Sequence, residues 1–126
     1  MSIGAESFNH VTVNITDLAK AKAFYAGLLG LEEIERPESF DFPGAWYRIG
    51  TVLIHLVGRA QRDPETTAHF CLWAGDVRGA AKTVEAAGFE VKWDKRKIAG
   101  IDRFFTRDPD GNRIEIQGWD GTTFAA

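Results

Sequence analysis

Two patterns of apolar and polar positions follow one another along the chain and then repeat. In "HVTVNI" apolar Val11, Val13 and Ile15 alternate with His10, Thr12 and Asn14, the period-two signature of a strand with one buried face. A helix signal follows, opened by Thr16 or Asp17 as N-cap and closed by Gly30. The same succession returns about 59 residues later: "HFCLW" alternates with Phe70 and Leu72 on one face. Asp76 then caps a helix whose apolar Val77, Ala80, Ala81 and Val84 recur at i, i+3, i+4 and i+7, with Gly88 as its stop. Each helix is expected to run about three to four turns.

Further strand-like runs complete each copy. "AWYRIG" and "TVLIHLVG" follow the first helix, and "DRFFTRD" and "NRIEIQGW", joined by the turn "DPDGN", follow the second. In this superposition Trp46 and Tyr47 correspond to Phe104 and Phe105. The order is βαβββ twice, an α+β chain of two pseudo-symmetric modules at about 7–58 and 68–119, joined by a polar, proline-containing linker at 59–67. With 126 residues the whole is expected to be a single domain, 1–126.

Superposing the copies changes the meaning of the histidines. His10 falls on His69, and His55, in the middle of an otherwise aliphatic strand, falls on Glu115. Four candidate ligands thus occupy two structural positions, each used once per module. Alternation turns them away from the helices: Ile114 and Ile116 face inward, so Glu115 faces outward, and Val11 and Val13 place His10 likewise. Three imidazoles and a carboxylate form a thiolate-free set suited to Ni, Co, Mn, Fe(II) or Zn, with positions left for water or substrate. The alternative is four separately satisfied polar side chains.

Charge and cysteine content narrow the chemistry. A formal net charge of −3 gives no footprint for nucleic acid or an anionic membrane surface. The start of the chain shows no secretory signal and no segment long and apolar enough to span a membrane, so a cytoplasmic protein is expected. The one cysteine, Cys71, excludes an internal disulfide and a thiolate metal cluster. The basic run "KWDKRK", Lys92 to Lys97, is either a solvated face or a surface that meets an anionic substrate. Arg113 shares the face of Glu115, where it orients that carboxylate, meets a substrate anion, or stays on the surface; Trp73, on the His69 face, and Phe105 are candidate pocket residues, and "SFDFPGAW" is a candidate lid.

The stretches "FNHVTVNITDLAKAKAFYAGLLGLE", "RPESFDFPGAWYRIG", "IHLV", "HFCLWAGD" and "FFTRDPDGNRIEIQ" resemble the vicinal oxygen chelate superfamily, which includes glyoxalase I, fosfomycin and bleomycin resistance proteins and extradiol dioxygenases. The resemblance covers nearly the whole chain. It implies a half-open barrel of paired modules around one divalent metal ion, a homodimer, and a small-molecule substrate chelated through vicinal oxygens. It also implies that His10, His69 and Glu115 are metal ligands, with His55 at the position where glyoxalase I carries a glutamate. There His55 is a fourth ligand or an acid–base group, and Glu115 is ligand and catalytic carboxylate together. The preferred reaction is a glyoxalase-like lyase or isomerase step by proton transfer. The alternatives are Fe(II) ring cleavage of the extradiol type and a non-catalytic resistance-type binder.

Overall fold

A computed structural model describes residues 1–122, which fall in two compact units, the first Met1–Arg62 and the second from Asp63 onward. The first unit runs β1 (His10–Ile15), α1 (Leu18–Lys22), β2 (Glu32–Ile34), β3 (Gly44–Ile49) and β4 (Val52–Gly58). The second runs β5 (His69–Gly75), α2 (Val77–Ala86), β6 (Lys92–Trp93), β7 (Ile101–Arg107) and β8 (Arg113–Trp119). Each unit is therefore βαβββ, and each folds into a four-stranded mixed sheet of the same topology, β1-β4-β3-β2 and β5-β8-β7-β6. In both, the first strand is parallel to the last, and the remaining pairs are antiparallel.

Helix starts follow the sequence signals. The Asp17 carboxylate accepts from the Lys20 N–H and the Asp76 carboxylate from the Gly79 N–H, so Asp17 rather than Thr16 is the first cap. Gly30 and Gly88 take positive φ of 73° and 88°, the left-handed conformation that ends a helix without a Cβ penalty. α1 departs from expectation: beyond Lys22 it widens into a π-helical segment, Ala23–Leu28, in which the Leu29 N–H reaches the Phe24 carbonyl at 2.8 Å. Phe24 and Tyr25 of this segment are both buried.

Alternation divides every sheet. In the first unit Val13, Ile15, Ala45, Tyr47, Ile54 and Leu56 are buried with Ala21, Phe24 and Tyr25. In the second, Ile114, Ile116 and Phe104 are buried with Val77, Ala81 and Val84 of α2, which lies against β7 and β8. The polar positions that alternate with these form the opposite face of each sheet.

Register corrects one detail of the internal repeat. Thr12 pairs with His55 as Cys71 pairs with Glu115, so His55 and Glu115 are equivalent. Trp46 pairs with His55, however, while Phe105 pairs with Glu115. Trp46 therefore matches Phe105, and Tyr47 matches buried Thr106, one residue away from the correspondence expected from sequence. Two adjacent aromatics occur in each copy, and strand pairing sets which of them shares the face of His55 and Glu115.

The "DPDGN" turn between β7 and β8 is built on Asp108. Its buried carboxylate accepts from the backbone N–H groups of Asp110 and Asn112 and from the Asn112 amide, each at 2.9 Å. Among the described residues, no helix is long and apolar enough to cross a membrane.

Candidate functional site

In the first unit β1 and β4 bring His10 and His55 together. Their rings stack with centroids 4.0 Å apart and planes 15° apart. Trp46, opposite His55 on β3, stacks on the other side at 4.0 Å and 2°, and Phe40 from the preceding loop meets Trp46 edge-on at 5.3 Å. The loop proposed as a lid is pinned by Arg36, which donates to the Phe42 carbonyl at 2.7 Å. Held between two rings, His55 has little orientational freedom, and its Nε2 is buried without a hydrogen-bond partner among the described residues. Burial, and next the neighbouring His10, hold the His55 pKa below the ordinary imidazole value. His55 is thus neutral at physiological pH, the form that binds a metal or accepts a proton.

The second unit builds the equivalent pair. His69 Nε2 lies 2.9 Å from Glu115 Oε1, and His69 Nδ1 contacts the Thr67 carbonyl at 2.9 Å, which fixes the ring. The other carboxylate oxygen, Glu115 Oε2, accepts from Gln117 Nε2 at 2.8 Å and from Arg103 at 3.3 Å. Asp94 in turn lies 3.1 Å from Arg103. Glu115 is only 5% exposed. Burial by itself pushes its pKa up, but the hydrogen bonds from Gln117, Arg103 and His69 outweigh that and leave it below the usual carboxylate value. The nearby Cys71 thiol is pushed up to about 11, first by burial and then by the Glu115 charge, so it carries no nucleophilic thiolate at neutral pH.

His69 Nε2 and Glu115 Oε1, 2.9 Å apart at hydrogen-bond distance, offer a nitrogen and a carboxylate oxygen of the kind a divalent cation takes. The unpartnered Nε2 of His55 is a further nitrogen donor. No group of three His, Cys, Asp or Glu side chains placed to hold one ion occurs among the described residues, and each unit by itself provides a pair.

Arg113 does not orient Glu115. Its guanidinium lies over the Phe105 ring at 3.7 Å and donates to the Thr67 carbonyl at 3.0 Å, and Arg103 is the arginine that contacts Glu115. Phe105 meets His69 edge-on at 5.1 Å. Trp73 is 48% exposed and packs edge-on against Trp119. Gln117 was not singled out from sequence, although the period-two face of Arg113 and Glu115 includes it. The Trp46 stack had no sequence signal, because it depends on the register of β3 against β4.

A repeated βαβββ unit carrying His/His and His/Glu pairs at equivalent positions defines the class. The chain belongs to the Glyoxalase/Bleomycin resistance protein/Dioxygenase superfamily, whose family model matches residues 7–116. It is 32% identical over 120 residues to "Glyoxylase I 4" of Arabidopsis thaliana, covering 87% of this chain and 69% of that protein. It is 28% identical over 118 residues to "Glutathione transferase FosA" of Serratia marcescens, covering 88% and 79%. Among solved structures, a glyoxalase family protein from Bacillus anthracis superposes with a TM-score of 0.84 at 29% identity, covering 94% of this chain and 99% of that one.

Proposed function

We propose that this protein is a divalent-metal-dependent lyase or isomerase that acts by proton transfer on a small substrate chelated through vicinal oxygens. His10, His69 and Glu115 are the metal ligands, and His55 is the fourth ligand or the acid–base group. The observation that carries the reading is the buried Nε2 of His55, a nitrogen donor without a partner among the described residues, on the strand position that Glu115 holds in the other unit. A bound divalent ion supplies Lewis-acid polarisation of the substrate oxygens and stabilises the negative charge that develops beside them.

The chain's own side chains do the rest. Arg103 and Gln117 keep the Glu115 carboxylate ionised and fixed in orientation. The Thr67 carbonyl anchors the His69 ring, and Trp46 and His10 hold the His55 ring in place to receive a proton at Nε2. A ring-cleaving Fe(II) reading has less support, because the side chain facing Glu115 from β7 is Phe105, without a hydroxyl. The exposed Trp73–Trp119 pair supports a homodimer, checked by light scattering.

The test is metal content of untagged protein, followed by deuterium exchange into α-hydroxycarbonyl substrates under argon. Near-stoichiometric Ni, Co, Zn or Mn with anaerobic exchange is the expected result. Absence of binding by any divalent ion after reconstitution would sink the reading.

A further inference from the structure

In the second unit Thr67, Glu90, Lys92, Phe105, Arg107 and Arg113 line a cavity of about 240 Å³. Lys92 pairs with Phe105, and Arg107 with Arg113, so these residues share the sheet face of Glu115. Three cations against one carboxylate leave the lining with an excess of two positive charges. The guanidinium groups are anchored: Arg107 donates to the Gly111 carbonyl at 2.9 Å and stands 3.9 Å from Glu90, while Arg113 is held on Phe105 and Thr67. Each guanidinium carries five N–H donors, so both retain donors beyond these contacts. The Lys92 ammonium has no hydrogen bond or ion pair among the described residues.

Anchored guanidiniums beside a free ammonium are the arrangement that recognises oxyanions. The cavity is smaller than the roughly 300–1,000 Å³ that encloses a drug-sized ligand, so it suits a charged head group rather than an entire molecule. Its wall is continuous with the His69 surroundings. Phe105 touches the His69 ring, and Arg113 Nη1 lies 3.5 Å from His69 Nδ1. We infer that this cavity is a subsite for an anionic oxygen group, a carboxylate or a phosphoryl group, borne by the substrate away from its metal-chelating oxygens. That assignment rests on His69 and Glu115 being the reaction centre. It narrows the substrate class to acidic α-oxygenated compounds.

Isotope-labelled, metal-free protein is titrated with inorganic phosphate and, separately, with acetate at constant ionic strength, following the Arg107 and Arg113 side-chain N–H signals by NMR. Saturable shifts are expected, and the tighter of the two anions identifies the head group. Lys92→Gln should weaken binding by about tenfold or more, the loss of one charge-assisted contact, whereas Glu90→Gln should tighten it. Lys92 and Glu90 are exposed, so neither variant threatens folding. Non-saturating shifts with both anions, or equal responses of the two variants, would overturn the subsite. Ni²⁺ binding to the same protein separates the two ideas. Anion saturation without Ni²⁺ binding removes the lyase reading and keeps the anion site, and Ni²⁺ binding without anion saturation removes the subsite alone.

Discussion

Gln117→Leu isolates the support of Glu115 from its ligand role. The substitution gives up one heavy atom of side-chain reach, keeps the strand hydrogen bonds of β8, and removes the 2.8 Å donor to Glu115 Oε2. A hydrogen bond to a charged group contributes about 1.5–3 kcal/mol, and losing one outer partner of a metal ligand typically costs about tenfold to a hundredfold in affinity. The carboxylate keeps Arg103 and His69, so the lower half of that range is expected, about tenfold to thirtyfold for Zn²⁺ or Ni²⁺. The sign of the pH effect follows from the same contacts. The Glu115 carboxyl titrates in the fold below the 4.5 of an unperturbed glutamate, so its ionisation stabilises the fold above pH 4.5 and is lost as pH falls through the folded value. Gln117→Leu raises the folded value and shrinks that increment. Chelator competition at pH 7.5 measures the affinity, and thermal unfolding between pH 3 and 7 measures the increment. Affinity within twofold of wild type, with an unaltered acid limb, would refute the view that Gln117 tunes this carboxylate.

Three other outcomes test different parts of the molecule. His55→Ala should release the Trp46 ring and change its fluorescence; loss of bound metal marks His55 as a ligand, and retained metal without turnover marks it as the acid–base group. Asp108→Ala orphans two backbone N–H groups in the β7–β8 turn and should cost about 2–4 kcal/mol in urea denaturation, and a change under 1 kcal/mol would contradict the turn's assigned role. Tyr47, buried and near the Glu33 charge, is pushed from 10.0 up to about 12. The folded state therefore holds its phenolic proton longer than the unfolded chain, stability falls as pH rises from 10 toward 12, and ultraviolet titration should reveal a delayed phenol that reverts on unfolding.

The repeat, the strand–helix order and the pairing of His10 with His69 and of His55 with Glu115 were legible because they depend on period and spacing. Alternation alone says that Ile114 and Ile116 go to one face and Glu115 to the other, whatever the strand's neighbours. Local chemistry likewise marked Thr16 or Asp17, and then Asp76, as caps and "DPDGN" as a turn, since such side chains satisfy backbone groups a few residues away; the structure chose Asp17. What lay beyond reach of the sequence was contact across strands. Whether Arg103 or Arg113 would hold Glu115 depends on β7–β8 register and on side-chain reach, and Phe105 captures Arg113 by stacking while Arg103 is left for the carboxylate. The Trp46–His55–His10 stack, the one-residue slip that puts Trp46 over the Phe105 position, and the cationic cavity were decided the same way, by which positions the pairing of strands distant in sequence sets side by side.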